Sequence, residues 1–409
     1  MRGSTHRRAP VGDETPDGWA AVNQAAFRAV VVGGSVGGMA AAVRLRRIGA
    51  DVAVYERSAA VMESRGAGVV MQPDIELLLE EEGVDPLSVS VRLEERHQLT
   101  RSGDRSVHVM AQQMTAWDTM YGVLRRLIGG SCYRRNSALT AANVRDDGVN
   151  LEFADGYSTS GDILIAADGV NSTSRTLLGG VDKPTYSGYV AWRGLEREAE
   201  LPEAMVNELA NRFTSYSAPG MQFLCYLVPG ADGDLRPGHR RVNWVWYVNT
   251  ALNDLAPILT GRSGRKYKAF LPPGAATADV LGTLHALAET ALPALLSKLV
   301  LSSTTFLQPV QDLKPMRMRH GRACLIGDAA GTVRPHTASG TSKAFADATI
   351  LALALGGWDS RQPLPTERLQ RWELTRLSAL ANIAEHGQRL AASSALGTGF
   401  SAVPWKAEA

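Results

Sequence analysis

The sequence has little cysteine: Cys132, Cys225 and Cys324 are the three in 409 residues, far apart and odd in number. That usage argues against a disulfide framework and against a zinc site, and it points to a reducing cytoplasmic setting. The eight histidines show no pair at metal-ligand spacing, so no metal is expected. Net charge is nearly absent as well. With 43 Lys and Arg against 41 Asp and Glu the balance is +2, too little for a nucleic-acid partner. No apolar run reaches the length that spans a bilayer, so no membrane segment is expected. The opening MRGSTHRRAPVGDETPDGWA has charges and prolines but no apolar signal region, and residues 1–26 read as a flexible tail.

What is present is room for two or three domain-sized units, with 45% of residues hydrophobic. Order begins at Ala29-Val30-Val31-Val32, a short apolar run typical of a buried parallel strand. It enters Gly33-Gly34-Ser35-Val36-Gly37-Gly38 and then a run of helix formers ending at Gly49. Asp51–Glu56 follows as a second strand ending in a carboxylate. Strand, glycine turn, helix, strand and acid together are the layout of a dinucleotide fold. Gly33 supplies the turn and Gly38 the close helix packing. The helix N-terminus faces a pyrophosphate, and Glu56 can accept hydrogen bonds from ribose hydroxyls. Ser35 stands where the pattern has its middle glycine.

Two further junctions share this form. Ile163–Ala167 runs into Asp168-Gly169-Val170-Asn171-Ser172, where the plain reading is a turn with Ser172 capping a helix. Ala323–Ile326 runs into GDAAGTVRPHTASGTSKAFADA, residues 327–348. In that stretch a strand ends at an acid and a helix restarts on small and polar residues.

Taken together, the three loops resemble those of the FAD-dependent aromatic hydroxylases, flavoprotein monooxygenases of the p-hydroxybenzoate hydroxylase type. Within them the likeness is strongest to the pyridinol-hydroxylase branch, that of 2,6-dihydroxypyridine 3-hydroxylase. It is carried by RGAGVVMQP (65–73), YSGYVAWRG (186–194), HGRACLIGDAA (320–330) and RPHTASGTSKA (334–344). The sequence departs from the wider family at Ala338-Ser339-Gly340, at Gly331 and at Tyr121, where relatives carry Gly-Gln-Gly, His and Arg. The resemblance implies that Gly33, Ser35, Val36, Gly38, Glu56 and Arg57 hold the ADP half of FAD. It places Gln72 near the flavin, Asp168 in a motif serving FAD and the nicotinamide cofactor, and Gly327 and Asp328 at the ribityl chain. Pro335, Ala338, Ser339, Gly340 and Thr341 would lie along the isoalloxazine. NADH or NADPH would bind transiently and reduce FAD. O2 would then give a flavin C4a-hydroperoxide that hydroxylates a small aromatic substrate bearing its own hydroxyl, a pyridinol or a phenol.

The expected fold class is α/β: a Rossmann-like FAD domain with an inserted antiparallel β-sheet substrate domain and C-terminal helices. The boundaries are 27–175 and 311–409 for the FAD domain and 176–310 for the mainly β insertion, whose segments are rich in aromatic and β-branched residues. Residues 366–392 read as a packing helix. On the substrate side, His336 is a candidate proton acceptor, or else a loop histidine bonded to backbone. Arg193 is a candidate for an anionic substrate oxygen, or else a strand arginine paired with a carboxylate. Pro335 shapes the loop beneath the flavin. Tyr226 and Trp246 line a pocket or belong to the sheet core. Lys343 reads as a solvated or carbonyl-bonded helix-start residue and Cys225 as a small core residue. Trp244-Val245-Trp246 raises a flavin-dependent halogenase as an alternative, and a catalytically silent flavin-binding protein is another. A homodimer completes the set of partners.

Overall fold

A computed structural model describes residues 25–60, 68–314 and 317–398. Most of the tail expected at 1–26, and residues 65–67 of the first resemblance segment, lie outside the described residues. Strand β1 (Arg28–Val32) feeds helix α1 (Val36–Arg47), which returns to β2 (Asp51–Tyr55). Then come β3 (Gly68–Val70), α2 (Pro73–Glu81), the hairpin of β4 (Val91–Leu99) and β5 (Arg105–Ala116), and α3 (Trp117–Ile128). A short β6 (Tyr133–Arg134) precedes the meander β7 (Leu139–Val144), β8 (Val149–Phe153) and β9 (Ser158–Gly161). Next are β10 (Ile163–Ala166), α4 (Thr173–Leu177), β11 (Thr185–Arg197), α5 (Glu203–Leu209), β12 (Arg212–Ala218), β13 (Met221–Val228) and β14 (Arg241–Asn249). Helices α6 (Leu255–Ile258), α7 (Ala278–Ala291) and α8 (Ala294–Leu301) lead to β15 (Phe306–Asp312). The chain closes with β16 (Arg319–His320), β17 (Ala323–Leu325), α9 (Gly340–Leu355) and α10 (Thr366–Ser393).

Of the three sheets these elements form, β7-β8-β9 is a small meander and two larger ones position the site. The first has the order β16-β17-β10-β1-β2-β6, parallel except for the β16–β17 hairpin. Its central strands are buried on both faces, which explains their continuous apolar runs. Gly33 adopts φ +107°, and a Cβ at Gly38 would fall 1.9 Å from the Gly33 carbonyl oxygen. Both glycines therefore do the work expected of them.

The second sheet has eight strands, β15-β11-β14-β13-β12-β4-β5-β3. It reaches beyond the boundaries read from sequence, because β3, β4 and β5 come from residues 68–116, the stretch assigned to the first domain. The sign was there in β4, whose residues largely alternate between buried and exposed. One face of this sheet packs on α7 and α8. Among the described residues no helix is long and apolar enough to cross a membrane.

Candidate active site

Because β17, β10 and β1 are parallel neighbours, the loops that follow them meet at one edge of the sheet. These are the three junctions singled out in the sequence. The glycine loop rests on the second, since a Cβ at Gly33 would lie 2.3 Å from the Ala167 carbonyl oxygen. Glu56 is buried and accepts from the backbone N–H groups of Gly34 and Ser58, each at 2.8 Å. Val36 is buried at the start of α1, Ser35 makes no side-chain bond to that helix end, and Arg57 is exposed.

The Asp168 junction is a capped turn. The Ser172 hydroxyl donates to Asp168 Oδ1 at 2.5 Å, Asp168 Oδ2 accepts from the Ser174 N–H, and Ser172 Oγ accepts from the Arg175 N–H. The capping role expected for Ser172 is thus present. Arg175, which the sequence reading passed over, donates to Val170 O at 2.8 Å and to Ala329 O at 2.9 Å. It bolts the second junction to the third.

At the third junction, Asp347 of α9 accepts from the Gly327 N–H at 2.9 Å and from Arg376 Nε of α10 at 2.7 Å. Lys343 corrects its expectation: it is 2% exposed, with Nζ 3.3 Å from Asp328 Oδ1. Helix packing carries the side chain inward, where the carboxylate offsets its burial. The following turn contains Ala338 at φ 55°, and Gln72 Nε2 donates to its carbonyl at 3.2 Å. Ser342 donates to Asp74 at 2.7 Å, so the starts of α2 and α9 are tied together.

Between this edge and the second sheet lies a cavity of about 660 Å³. Gln72, Asp328, Pro335, His336, Ala338, Gly340 and Thr341 face it from one side, and Arg193 and Tyr226 from the other. Ser339 precedes Gly340 at the start of α9. Arg193 is half-buried, and its Nε has no hydrogen-bond partner among the described residues. No carboxylate pairs with it there. Burial raises the phenol pKa of Tyr226 and of Tyr247, with the Arg193 charge acting against the rise.

His336 is fixed on both ring nitrogens. Gln222 Oε1 can only accept, so Nδ1 donates to it at 2.8 Å; Nε2 then accepts from the Tyr189 hydroxyl at 2.9 Å. Burial, helped by the Arg334 charge, lowers the imidazole pKa to about 4. A neutral ring with its acceptor nitrogen engaged does not match the proton acceptor expected at this position. Tyr189 and Gln222 were not picked out as site residues, although Tyr189 lies within the YSGYVAWRG segment.

Trp246 is not in the cavity. Side chains alternate along β14, so Val245 and Tyr247 face the cavity. Trp246, fully buried, packs on the other face beside Phe223 at 6.2 Å between ring centroids. Trp244 shares that face, stacked on Phe223, and donates to Ser303 Oγ at 2.8 Å. The Trp-x-Trp stretch is core. Cys225 is buried core as well.

Comparison with known proteins agrees with this geometry. The chain is 33% identical over 375 residues to 2,6-dihydroxypyridine 3-monooxygenase of Paenarthrobacter nicotinovorans, covering 88% of this chain and 92% of that protein. This chain belongs to the FAD-dependent aromatic hydroxylases. The solved structure of 2,6-dihydroxypyridine-3-hydroxylase from Arthrobacter nicotinovorans superposes on the hydroxylase with a TM-score of 0.85 at 32% identity, over 92% of this chain and 95% of that one. A 6-hydroxynicotinate 3-monooxygenase of Bordetella bronchiseptica is 28% identical, covering 79% of this chain and 81% of that protein. A family described as "FAD binding domain-like" matches residues 186–312, the sheet that roofs the cavity. The hydroxylase is a flavin-dependent monooxygenase, and these relatives lend no support to the halogenase alternative. The fold fits FAD on its own terms: glycine junctions too tight for a Cβ, three loops on one edge, and a roomy cavity at the start of α9.

Proposed function

We propose that this hydroxylase adds an oxygen atom to a small aromatic ring that already carries a hydroxyl group, a pyridinol or a phenol. The observation that carries the reading is Arg193, a half-buried cation without a carboxylate partner among the described residues, facing the Pro335–Thr341 turn across the cavity. Bound FAD supplies the redox chemistry, taking hydride from NADH or NADPH and bringing O2 into reaction with the ring.

The chain's residues hold the cofactor and ready the substrate. The loop from Gly33 to Gly38 and the start of α1 receive the pyrophosphate, with Glu56 and Arg57 at the adenosine. Asp168 caps its turn, Asp328 would hold the ribityl chain, and Gln72 steadies the turn that would lie along the isoalloxazine. A ring attacks an electrophilic oxygen far better once its own hydroxyl is ionised. Arg193 stabilises that oxyanion in a place shielded from water. Tyr226 and Tyr247 stay protonated, so they can donate hydrogen bonds and add no competing negative charge. His336, neutral and pinned by Gln222 and Tyr189, forms a wall that orients the ring. Tyr226 stacks on Phe213 at 5.3 Å and helps to exclude water.

A panel of hydroxypyridines and phenols, scored for acceleration of NADH and NADPH oxidation, tests this reading. Acceleration by a free hydroxyl compound and not by its O-methyl ether is the expected result. No acceleration by any member would leave a silent flavin-binding protein. A homodimer is part of the proposal, supported by the edge of β5, where Val107, Val109 and Met110 are exposed. Light scattering in solution checks it: a monomer mass removes it.

A further inference from the structure

Lys343 stands in the first turn of α9 with its side chain 1% exposed, and its Nζ makes no hydrogen bond among the described residues. Burying an ammonium is costly unless partners meet its charge and its donors. The one carboxylate in ion-pair range among the described residues is Asp328, at 3.3 Å, and its side chain is 51% exposed on the cavity wall.

Ion pairs that hold this fold together are built otherwise. Arg240–Glu198, Arg241–Asp118 and Arg376–Asp347 are buried on both sides and close at 2.6–2.7 Å. Each of those carboxylates also accepts a backbone N–H, from Gly238, Thr119 and Gly327 respectively. Asp328 accepts no hydrogen bond among the described residues. The packing of α9 puts the two side chains together. Gly327 takes φ +59°, and a Cβ there would lie 3.2 Å from the Ala344 Cβ, so the first turn of α9 rests on the Gly327–Asp328 turn. Asp328 lines the cavity and Lys343 does not, so the carboxylate stands between the buried cation and the open space.

We infer that Lys343 is a positioning residue for FAD. It acts through Asp328, holding one carboxylate oxygen so that the other is aimed at the ribityl hydroxyls and accepts from them. The inference rests on the assignment of Asp328 to the ribityl chain above. A half-exposed aspartate on its own turns among rotamers, and fixing it before the ligand arrives lowers the ordering cost of binding. Hydroxyls suit this acceptor because an ionised carboxylate has no proton to give, whereas it repels a phosphate oxygen. The ribityl segment is therefore the part of FAD this pair recognises, and the pyrophosphate is left to the glycine loop.

The test uses Lys343→Met, Asp328→Asn and the double variant, all as apoprotein. FAD is titrated by fluorescence, ADP by calorimetry, and the melting temperature is recorded. K343M should raise the FAD Kd about tenfold, the scale of one charged hydrogen bond. Its ADP Kd should be unchanged, because ADP has no ribityl chain. Its melting temperature should not fall, since Met removes a buried charge and leaves an aspartate that water reaches. D328N should raise the FAD Kd at least as far, and adding K343M to it should cost nothing further. An unchanged FAD Kd in K343M would overturn the inference. The first turn of α9 also touches the glycine loop, where a Cβ at Gly37 would lie 3.1 Å from the Ala344 Cβ. Equal weakening of FAD and ADP, with a lower melting temperature, would therefore make Lys343 a packing residue and overturn the inference as well. A loss from K343M that persists in the D328N background would show that the lysine does not act through Asp328, with the same consequence. An unchanged FAD Kd in D328N would remove the ribityl assignment itself, a result distinct from the others, and the inference would fall with it.

Discussion

Arg175 Nη1 donates a 2.9 Å hydrogen bond to the carbonyl oxygen of Ala329, joining two turns that lie 154 residues apart in sequence. Its Nη2 donates to Val170 in its own turn, so one buried guanidinium sets the separation of the Asp168 and Asp328 loops. Replacement by Met leaves both carbonyls without this donor. Hydrogen bonds from a charged donor are worth about 1.5–3 kcal/mol each. The expected result for R175M is a rise in the FAD Kd of about tenfold or more in fluorescence titrations of the apoprotein. An unchanged Kd would show that the two turns keep their spacing without it.

Arg193 is expected to act on the substrate's ionisation and not on the cofactor. R193M should keep its flavin and lose about a hundredfold in kcat/KM, the scale of removing one oxyanion donor. R193K should retain part of the activity. The readout that separates this from a packing effect is the pKa of the bound substrate hydroxyl, followed by its ultraviolet band. It should rise in R193M, and a pKa equal to the unsubstituted protein's would remove Arg193 from the proposed role.

The dinucleotide half of this molecule was legible because local sequence and fold agree there. A buried strand, Gly33 and Gly38, and a terminal acid have one common solution, and each of the three junctions repeats part of it. The substrate side was less open to reading, since its chemistry comes from pairings across the chain. Nothing near His336 in sequence announces Gln222 or Tyr189, and nothing near Ser172 announces that Arg175 reaches Ala329. Trp246 shows the limit of composition. An aromatic on a cavity strand faces either way, and the register, with Trp246 opposite Trp192 and Phe223, decides the face. Lys343 shows another limit: a helix-start lysine is ordinarily solvated, and only the packing of α9 puts it beside Asp328.

His336 makes stability depend on pH with a definite sign. Unfolded histidine titrates near 6.5, while the folded ring titrates at about 4. Between those values the unfolded state binds more protons, so stability present at neutral pH is lost as pH falls through that window. A shift of this size corresponds to roughly 3 kcal/mol at most. Urea midpoints for the unsubstituted protein and H336N should therefore differ most at pH 7.5, draw together as pH falls below 6.5, and converge only by about pH 4. A constant difference over that range would mean the ring is not held neutral by the fold.

Trp246 should behave as core. W246A is expected to lose about 3–5 kcal/mol of stability, while the molecules that do fold keep the substrate Kd. Val245 and Tyr247 are the cavity-facing neighbours, so Y247F, which keeps the buried ring and removes only its hydroxyl, should do the reverse, changing the substrate Kd more than the melting temperature. If W246A bound substrate more weakly at a temperature where it is fully folded, the side of the sheet assigned to it would be wrong.

The central claim is that the cavity joins one atom of O2 to a hydroxylated ring. Mass spectrometry of the product formed with FAD, NAD(P)H and ¹⁸O₂ tests it most directly, using the hydroxypyridine or phenol that most accelerates nucleotide oxidation. One ¹⁸O atom per product molecule is the predicted result. Accelerated oxidation that yields only peroxide, with no labelled ring product from any compound in the panel, would contradict it.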